Sequence, residues 1–274
     1  MVNPKFVAKI ESEEPTLRFA VLIDADNVSA SVIEGLLAEI ATFGEATVKR
    51  IYGDFTAPTS AQWKKVLNKN AIKPVQQFAY TTGKNATDST LIIDAMDLLY
   101  TRRFNGFCLV SSDSDFTGLA IRIREEGLTV IGFGEQKTPE AFRNACHKFI
   151  LTEVLRPVDS KDKEATLNLI SEPTQAKSAV VAINPVQSSL EQTTKEIPVE
   201  FLLQALDKTC DENGWARLAD FGSYLTKLQP DFEPRAFGFK KLSELIKAKL
   251  GVFQLDERQV ANSSGKVLYV RAKK

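Results

Sequence analysis

Phe19-Ala20-Val21-Leu22-Ile23-Asp24-Ala25-Asp26-Asn27 runs from five apolar residues straight into two carboxylates and an amide. Phe19 to Ile23 reads as a short, continuously apolar strand, of the kind buried on both faces in a parallel sheet. Asp24 then sits at the strand's carboxyl end, the edge where ligands bind in open α/β sheets. A carboxylate there is costly for folding unless something pairs with it, and a divalent cation is the commonest reason to gather several. The competing reading is that Asp24 or Asp26 caps the helix expected to begin near Val28-Ser29.

The same arrangement recurs downstream. Gly106 to Ser111 is a second apolar strand, and it opens into Ser112-Asp113-Ser114-Asp115-Phe116. Between the two lies the clearest helix of the chain, Thr87 to Arg102, with Asp88, Leu91, Ile92, Ala95, Leu98 and Leu99 on one face at i, i+3, i+4 spacing. Asp94 and Asp97 fall off that face and read as solvated. Asp88 points with the buried stripe from the first turn, either as a site residue or as a carboxylate favoured by the helix dipole. Helices are also expected over 29–43 (stopped by Gly44), 60–70, 116–126 and 140–147, and strands over 46–53, 72–78, 128–133 and 149–151. Strands alternating with helices imply an α/β fold with a parallel sheet covered on both faces.

Two further regions follow. Residues 156–196 are rich in Ser, Thr, Gln, Lys and Glu with Pro157, Pro173 and Pro185, and read as a flexible linker. Ala179 to Ile183 is a candidate transient strand inside it. From Ile197 the composition turns globular again: helices over 199–213, 218–228 and 239–250, then strands over 252–256 and 266–271, a winged-helix pattern. Residues 1–16 read as a polar tail, giving units at 1–16, 17–155, 156–196 and 197–274. The 35 basic and 35 acidic side chains cancel, so any nucleic-acid contact must come from local patches. No apolar run approaches the ~20 residues of a membrane span, and no signal core is visible. Cys108, Cys146 and Cys210 are far apart and odd in number, as expected of reduced thiols in the cytoplasm. His147 is the single histidine, which excludes a His-rich zinc site, leaves a serine triad one candidate base, and favours carboxylates and metal for any catalysis.

A doubly wound sheet would bring Asp24, Asp26, Asp88, Asp113 and Asp115 to one edge. Such a cluster is self-repelling unless a cation neutralises it, and hard oxygen ligands suit Mg²⁺ or Mn²⁺. Ile23-Asp24-Ala25-Asp26-Asn27, Ala86-Thr87-Asp88-Ser89 and Val110-Ser111-Ser112-Asp113-Ser114-Asp115-Phe116 resemble, in this order, the NYN family of PIN-like nucleases in its bacterial branch. The resemblance covers 17–155. It implies a PIN-like parallel sheet sandwiched by helices and a metal-dependent ribonuclease, with Asp24, Asp88, Asp113 and Asp115 as ligands of Mg²⁺ or Mn²⁺. It also implies that Asn27 orients a ligand or contacts the substrate. Residues 197–274 resemble the OST-HTH (LOTUS) winged-helix domain through Gly214-Trp215-Ala216, Phe237-Gly238-Phe239-Lys240-Lys241-Leu242 and the last strand, which implies RNA as partner.

Lys84, in the loop before the long helix, and Arg235, Lys240 and Lys241 are the expected substrate contacts. Basic residues interleaved with Phe237 and Phe239 suit phosphates and bases. Alternatively, Phe239 and Leu242 are core and the lysines a solvated face. Two other functions fit parts of the pattern. One is a non-catalytic RNA-binding adaptor on the same fold. The other is a haloacid-dehalogenase-like phosphatase with Asp24 as nucleophile and Lys137 as its motif lysine, although no cap-sized insert follows the first strand. The sequence leaves homo-oligomerisation open.

Overall fold

The computed structural model describes residues 16–56, 61–78, 86–156, 197–259 and 266–273. The N-terminal tail up to residue 15, the Lys84 loop and the linker from 157 to 196, with its candidate strand, lie outside the described residues.

The first unit is a six-stranded, wholly parallel sheet in the order β3-β2-β1-β4-β5-β6, formed by β1 (Arg18–Asp24), β2 (Glu45–Gly53), β3 (Lys73–Gln76), β4 (Gly106–Val110), β5 (Thr129–Gly134) and β6 (Lys148–Leu151). The alternation along β1 explains its unbroken apolarity. Ala20 and Leu22 face one layer, with α3 (Ala86–Tyr100), α4 (Thr117–Glu125) and α5 (Glu140–Ala145); Phe19, Val21 and Ile23 face the other, with α1 (Ile33–Ile40) and α2 (Ala61–Asn70). Both faces are core, so neither can be polar. The chain runs outward from β1 through β2 to β3, then crosses back to β4 on the other side of β1. The topological switch point therefore lies between the carboxyl ends of β1 and β4, where such sheets hold ligands.

The long helix and the strands fall close to where periodicity put them, and two readings change. The helix expected from Ser29 starts as a short 3₁₀ turn, Ala30–Val32, capped by the Ser29 hydroxyl rather than by Asp24 or Asp26. Asp94 is not solvated. Its carboxylate is half-buried and takes hydrogen bonds from Arg50 and the Tyr52 hydroxyl, side chains of β2 that helical periodicity cannot see.

The second unit packs α6 (Val199–Thr209), α7 (Leu218–Leu228) and α8 (Leu242–Ala248) on a small sheet of order β7-β9-β8, made by β7 (Ala216–Arg217), β8 (Phe253–Gln259) and β9 (Lys266–Ala272). It has its own core, centred on Leu202, Phe221, Leu225, Leu245, Phe253 and Val270. The pair β8–β9 is the expected wing; β7 is too short to read from sequence and exists because β9 pairs with it.

The two units touch. The Phe149 N–H, on edge strand β6, donates to the Pro230 carbonyl at 2.9 Å, and Arg143 pairs with Asp231. Arg235 reaches Glu39 on α1 with both terminal nitrogens, at 2.8 and 2.9 Å, and also binds Glu233 at 3.1 and 3.2 Å. Its guanidinium is thus held between two carboxylates rather than presented to substrate. The planar fork matches carboxylates bidentately, the geometry of a strong charge-assisted contact.

Candidate metal centre

Asp24 ends β1 fully buried, and every hydrogen bond it makes comes from its immediate surroundings. Oδ1 accepts the Asp26 N–H at 3.0 Å; Oδ2 accepts the Asn27 amide at 2.7 Å and the Ser111 hydroxyl at 2.8 Å. Burial raises its pKa, against the lowering effect of those three donors. Ser111, just past the end of β4, also accepts the Asp113 N–H at 3.1 Å. One hydroxyl therefore ties the ends of the two switch-point strands together. Gly134 lets β5 close on this corner, since a Cβ there would lie 2.5 Å from the Ser111 carbonyl oxygen.

Beyond that buried layer the acids converge. Carboxylate oxygens of Asp88, Asp113 and Asp115 lie within 4.8 Å of one another. Asp88 comes from the first turn of α3; Asp113 and Asp115 come from the loop after β4, where Asp113 Oδ1 accepts the Asp115 N–H at 2.9 Å and caps a 3₁₀ turn. The Asp88 carboxyl is pushed up to about 6, first by burial and then by the charges of Asp24, Asp113, Asp115 and Asp26. Burial opposes charging the carboxyl, and the neighbouring carboxylates repel it further. All donors are carboxylate oxygens, with no histidine or thiolate among them, so the set fits a hard divalent cation of the Mg²⁺ or Mn²⁺ type.

Of the four expected ligands, three converge; Asp24 stands behind them, felt by Asp88 as charge. Asn27, expected to orient a ligand or contact the substrate, donates its side-chain amide to Asp24. Asp26 is exposed. Lys84 lies outside the described residues; Lys240 and Lys241 are exposed at the start of α8, in the other unit. Ser111 was missed: a serine in an Asp-rich loop reads as a turn residue, and only the pairing of β1 with β4 reveals its bridge. The phosphatase reading loses its nucleophile, because Asp24 has no exposed surface. Lys137 is no help to it, being exposed and paired with Glu135 at 2.8 Å.

Comparison with known proteins agrees with this architecture. The NYN domain family matches residues 18–153, and the OST-HTH/LOTUS domain family matches residues 189–264. The chain belongs to the NYN family, whose fold is that of a nuclease superfamily, and it carries an OST-HTH/LOTUS domain after it. Among solved structures, it is similar to an uncharacterised protein of Nitrosomonas europaea, at 43% identity over 36% of this chain and 93% of that one, TM-score 0.29. A protein of unknown function from Vibrio parahaemolyticus matches at 20% identity over 49% of this chain and 91% of that one, TM-score 0.42. A fragment (175–257) of a Chromobacterium violaceum protein matches at 31% identity over 29% of this chain and 84% of that one, TM-score 0.24. No curated protein matches the chain. Among the described residues, no helix is long and apolar enough to cross a membrane.

Proposed function

We propose that the chain is a divalent-metal-dependent ribonuclease whose C-terminal unit binds the RNA. The observation that carries this reading is the convergence of Asp88, Asp113 and Asp115 at the sheet's switch point, with Asp88 held well above the usual carboxylate range. These three side chains would hold the cation, and Asp24, fixed by Ser111 and Asn27, adds a buried negative charge behind them. A bound Mg²⁺ or Mn²⁺ supplies the Lewis acid that lowers the pKa of water and neutralises charge developing on a phosphodiester. No histidine is required for that chemistry. Hydrolysis breaks the bond from phosphorus to the 3′ oxygen, leaving a 5′-phosphate and a 3′-hydroxyl.

The test is end-labelled single-stranded RNA incubated with the full chain in Mg²⁺, in Mn²⁺ and with chelator. Metal-dependent products bearing 5′-phosphates are expected, and Asp113→Asn should give none. Binding without cleavage in either metal would leave the adaptor reading in place.

A further inference from the structure

We infer that RNA is gripped on the outer face of the small β7-β9-β8 sheet, where Trp215, Tyr269, Arg258 and Arg271 form a stacked platform for unpaired bases. This rests on the RNA-binding role proposed above and replaces the Arg235–Lys249 stretch as the seat of base contact.

That stretch has lost its stacking rings. Phe237 lies 5.8 Å from Phe232, centroid to centroid, and both Phe237 and Phe239 pack against the core of the C-terminal unit. Arg235 is committed to Glu39 and Glu233.

The sheet offers what the helix does not. Pairing of Arg217 with Tyr269, Asp256 with Tyr269 and Gln254 with Arg271 puts these side chains on one face, and Trp215 precedes β7 in the same phase. The opposite face carries buried Ala216, Phe253 and Val270, so the platform faces away from the core. The Arg271 guanidinium carbon lies 4.6 Å from the Trp215 ring centroid. That of Arg258 lies 4.8 Å from Trp215 and 4.3 Å from Tyr269. Each arginine is also steadied by a neighbour on the sheet: Arg258 by Asp256 at 2.9 Å and Arg271 by Gln254 at 2.8 Å.

Flat guanidinium planes against aromatic rings extend the stacking surface, and the other donors of each fork suit phosphate oxygens. Among the side chains of the strands themselves, three arginines, counting Arg217, stand against the single carboxylate of Asp256 on this face; Arg217 also approaches Asp220 at 3.9 Å, and Asp207 and Glu212 line the cavity beside Arg271. The surplus on the strands is positive, which matches a nucleic-acid backbone. An acidic peptide would use the arginines and waste the rings, and a duplex would hide its bases. The chemistry that uses every part is single-stranded RNA.

Trp215 reports on its own occupancy. The chain has two tryptophans, and the other, Trp63, is buried in the first unit. The full chain carrying Asp113→Asn, chosen so that RNA stays intact, is titrated with a short oligouridylate while indole emission is read; the same protein with Trp215→Leu is the blank. Saturable quenching is expected in the parent and none in the blank. Tyr269→Leu should bind roughly five- to hundred-fold more weakly, the loss of one stacked base. Arg258→Gln should make the log–log salt dependence shallower by about 0.7. Unchanged emission on saturation, or parental affinity in both variants, overturns the proposal. So does a loss of affinity confined to Lys240→Gln and Lys241→Gln, or quenching by polyglutamate with none by RNA. If Tyr269→Leu fails to fold, Trp215 emission in the parent still decides. RNA cleavage without any Trp215 response sinks this surface alone, and a Trp215 response without cleavage sinks the nuclease alone.

Discussion

Replacing Asp88 by Asn should stabilise the metal-free protein while removing its response to metal. The Asp88 carboxyl titrates near 6 in the folded chain against an ordinary 3.8. At about 1.4 kcal/mol per pH unit, that gap corresponds to about 3 kcal/mol held against folding once the group is charged. Asp88 is only half-buried and Asp115 is exposed, so water screens the repulsion. About 1 kcal/mol is the expected gain, or ~3 °C in melting temperature for a domain of this size. The sign follows from the raised value. Folding favours the protonated carboxyl, so its contribution is intact below pH 3.8 and lost as pH rises through about 6. Melts in chelator at about pH 5 and about pH 8 should therefore show the wild type losing stability with pH more steeply than the variant. Excess Mn²⁺ should reverse the ranking, since a ligand at a hundred times its Kd stabilises by about 2.7 kcal/mol. An Asp88→Asn protein less stable than wild type at both pH values, or equally stabilised by Mn²⁺, would refute the reasoning.

Asp113→Asn keeps an oxygen to cap the 3₁₀ turn at Asp115, so it should melt within about 0.5 kcal/mol of wild type while losing cleavage; calorimetry beside the RNA assay checks both. Ser111→Ala leaves Asp24 Oδ2 with the Asn27 amide alone and orphans the Asp113 N–H, and should cost about 1–3 kcal/mol in denaturant titration and weaken the Mn²⁺ shift. Arg235→Ala leaves Glu39 and Glu233 facing each other, at a cost of about 2 kcal/mol, and should separate the melting of the two units in a scan followed by Trp63 and Trp215 emission. Limited proteolysis should cut first within 156–196, judged by composition, and early cuts inside 17–155 would move the domain boundary.

What the sequence disclosed follows from which interactions are local. β1 and β4 were legible because a strand buried on both faces must be apolar throughout, and the aspartates stood out because charge ends such a run abruptly. Their convergence was legible only as a consequence of doubly wound topology, and the order β1 beside β4 supplied it. Partners distant in the chain were not legible. Asp94 looked solvated on a helical wheel because Arg50 and Tyr52 lie on a strand 44 and 42 residues away. Arg235 looked like an RNA contact because Glu39, 196 residues upstream, leaves no mark on the local pattern. The stacked face of the small sheet escaped for the same reason: Trp215 and Arg271 become neighbours only when β7 pairs with β9.

The bond from Phe149 to Pro230 has a consequence for how this protein behaves when cut apart. β6 is a terminal strand of the sheet, and a row of unpaired amides there invites a second chain to add itself as the next strand. The C-terminal unit sits against that row, with the Pro230 carbonyl taking one amide and the Arg143–Asp231 pair closing the flank. Proline at this position accepts without offering an N–H of its own, so the pairing stops there instead of propagating. The C-terminal unit thus covers part of an open sheet edge, and the NYN domain cut free of it is expected to expose that edge to its copies.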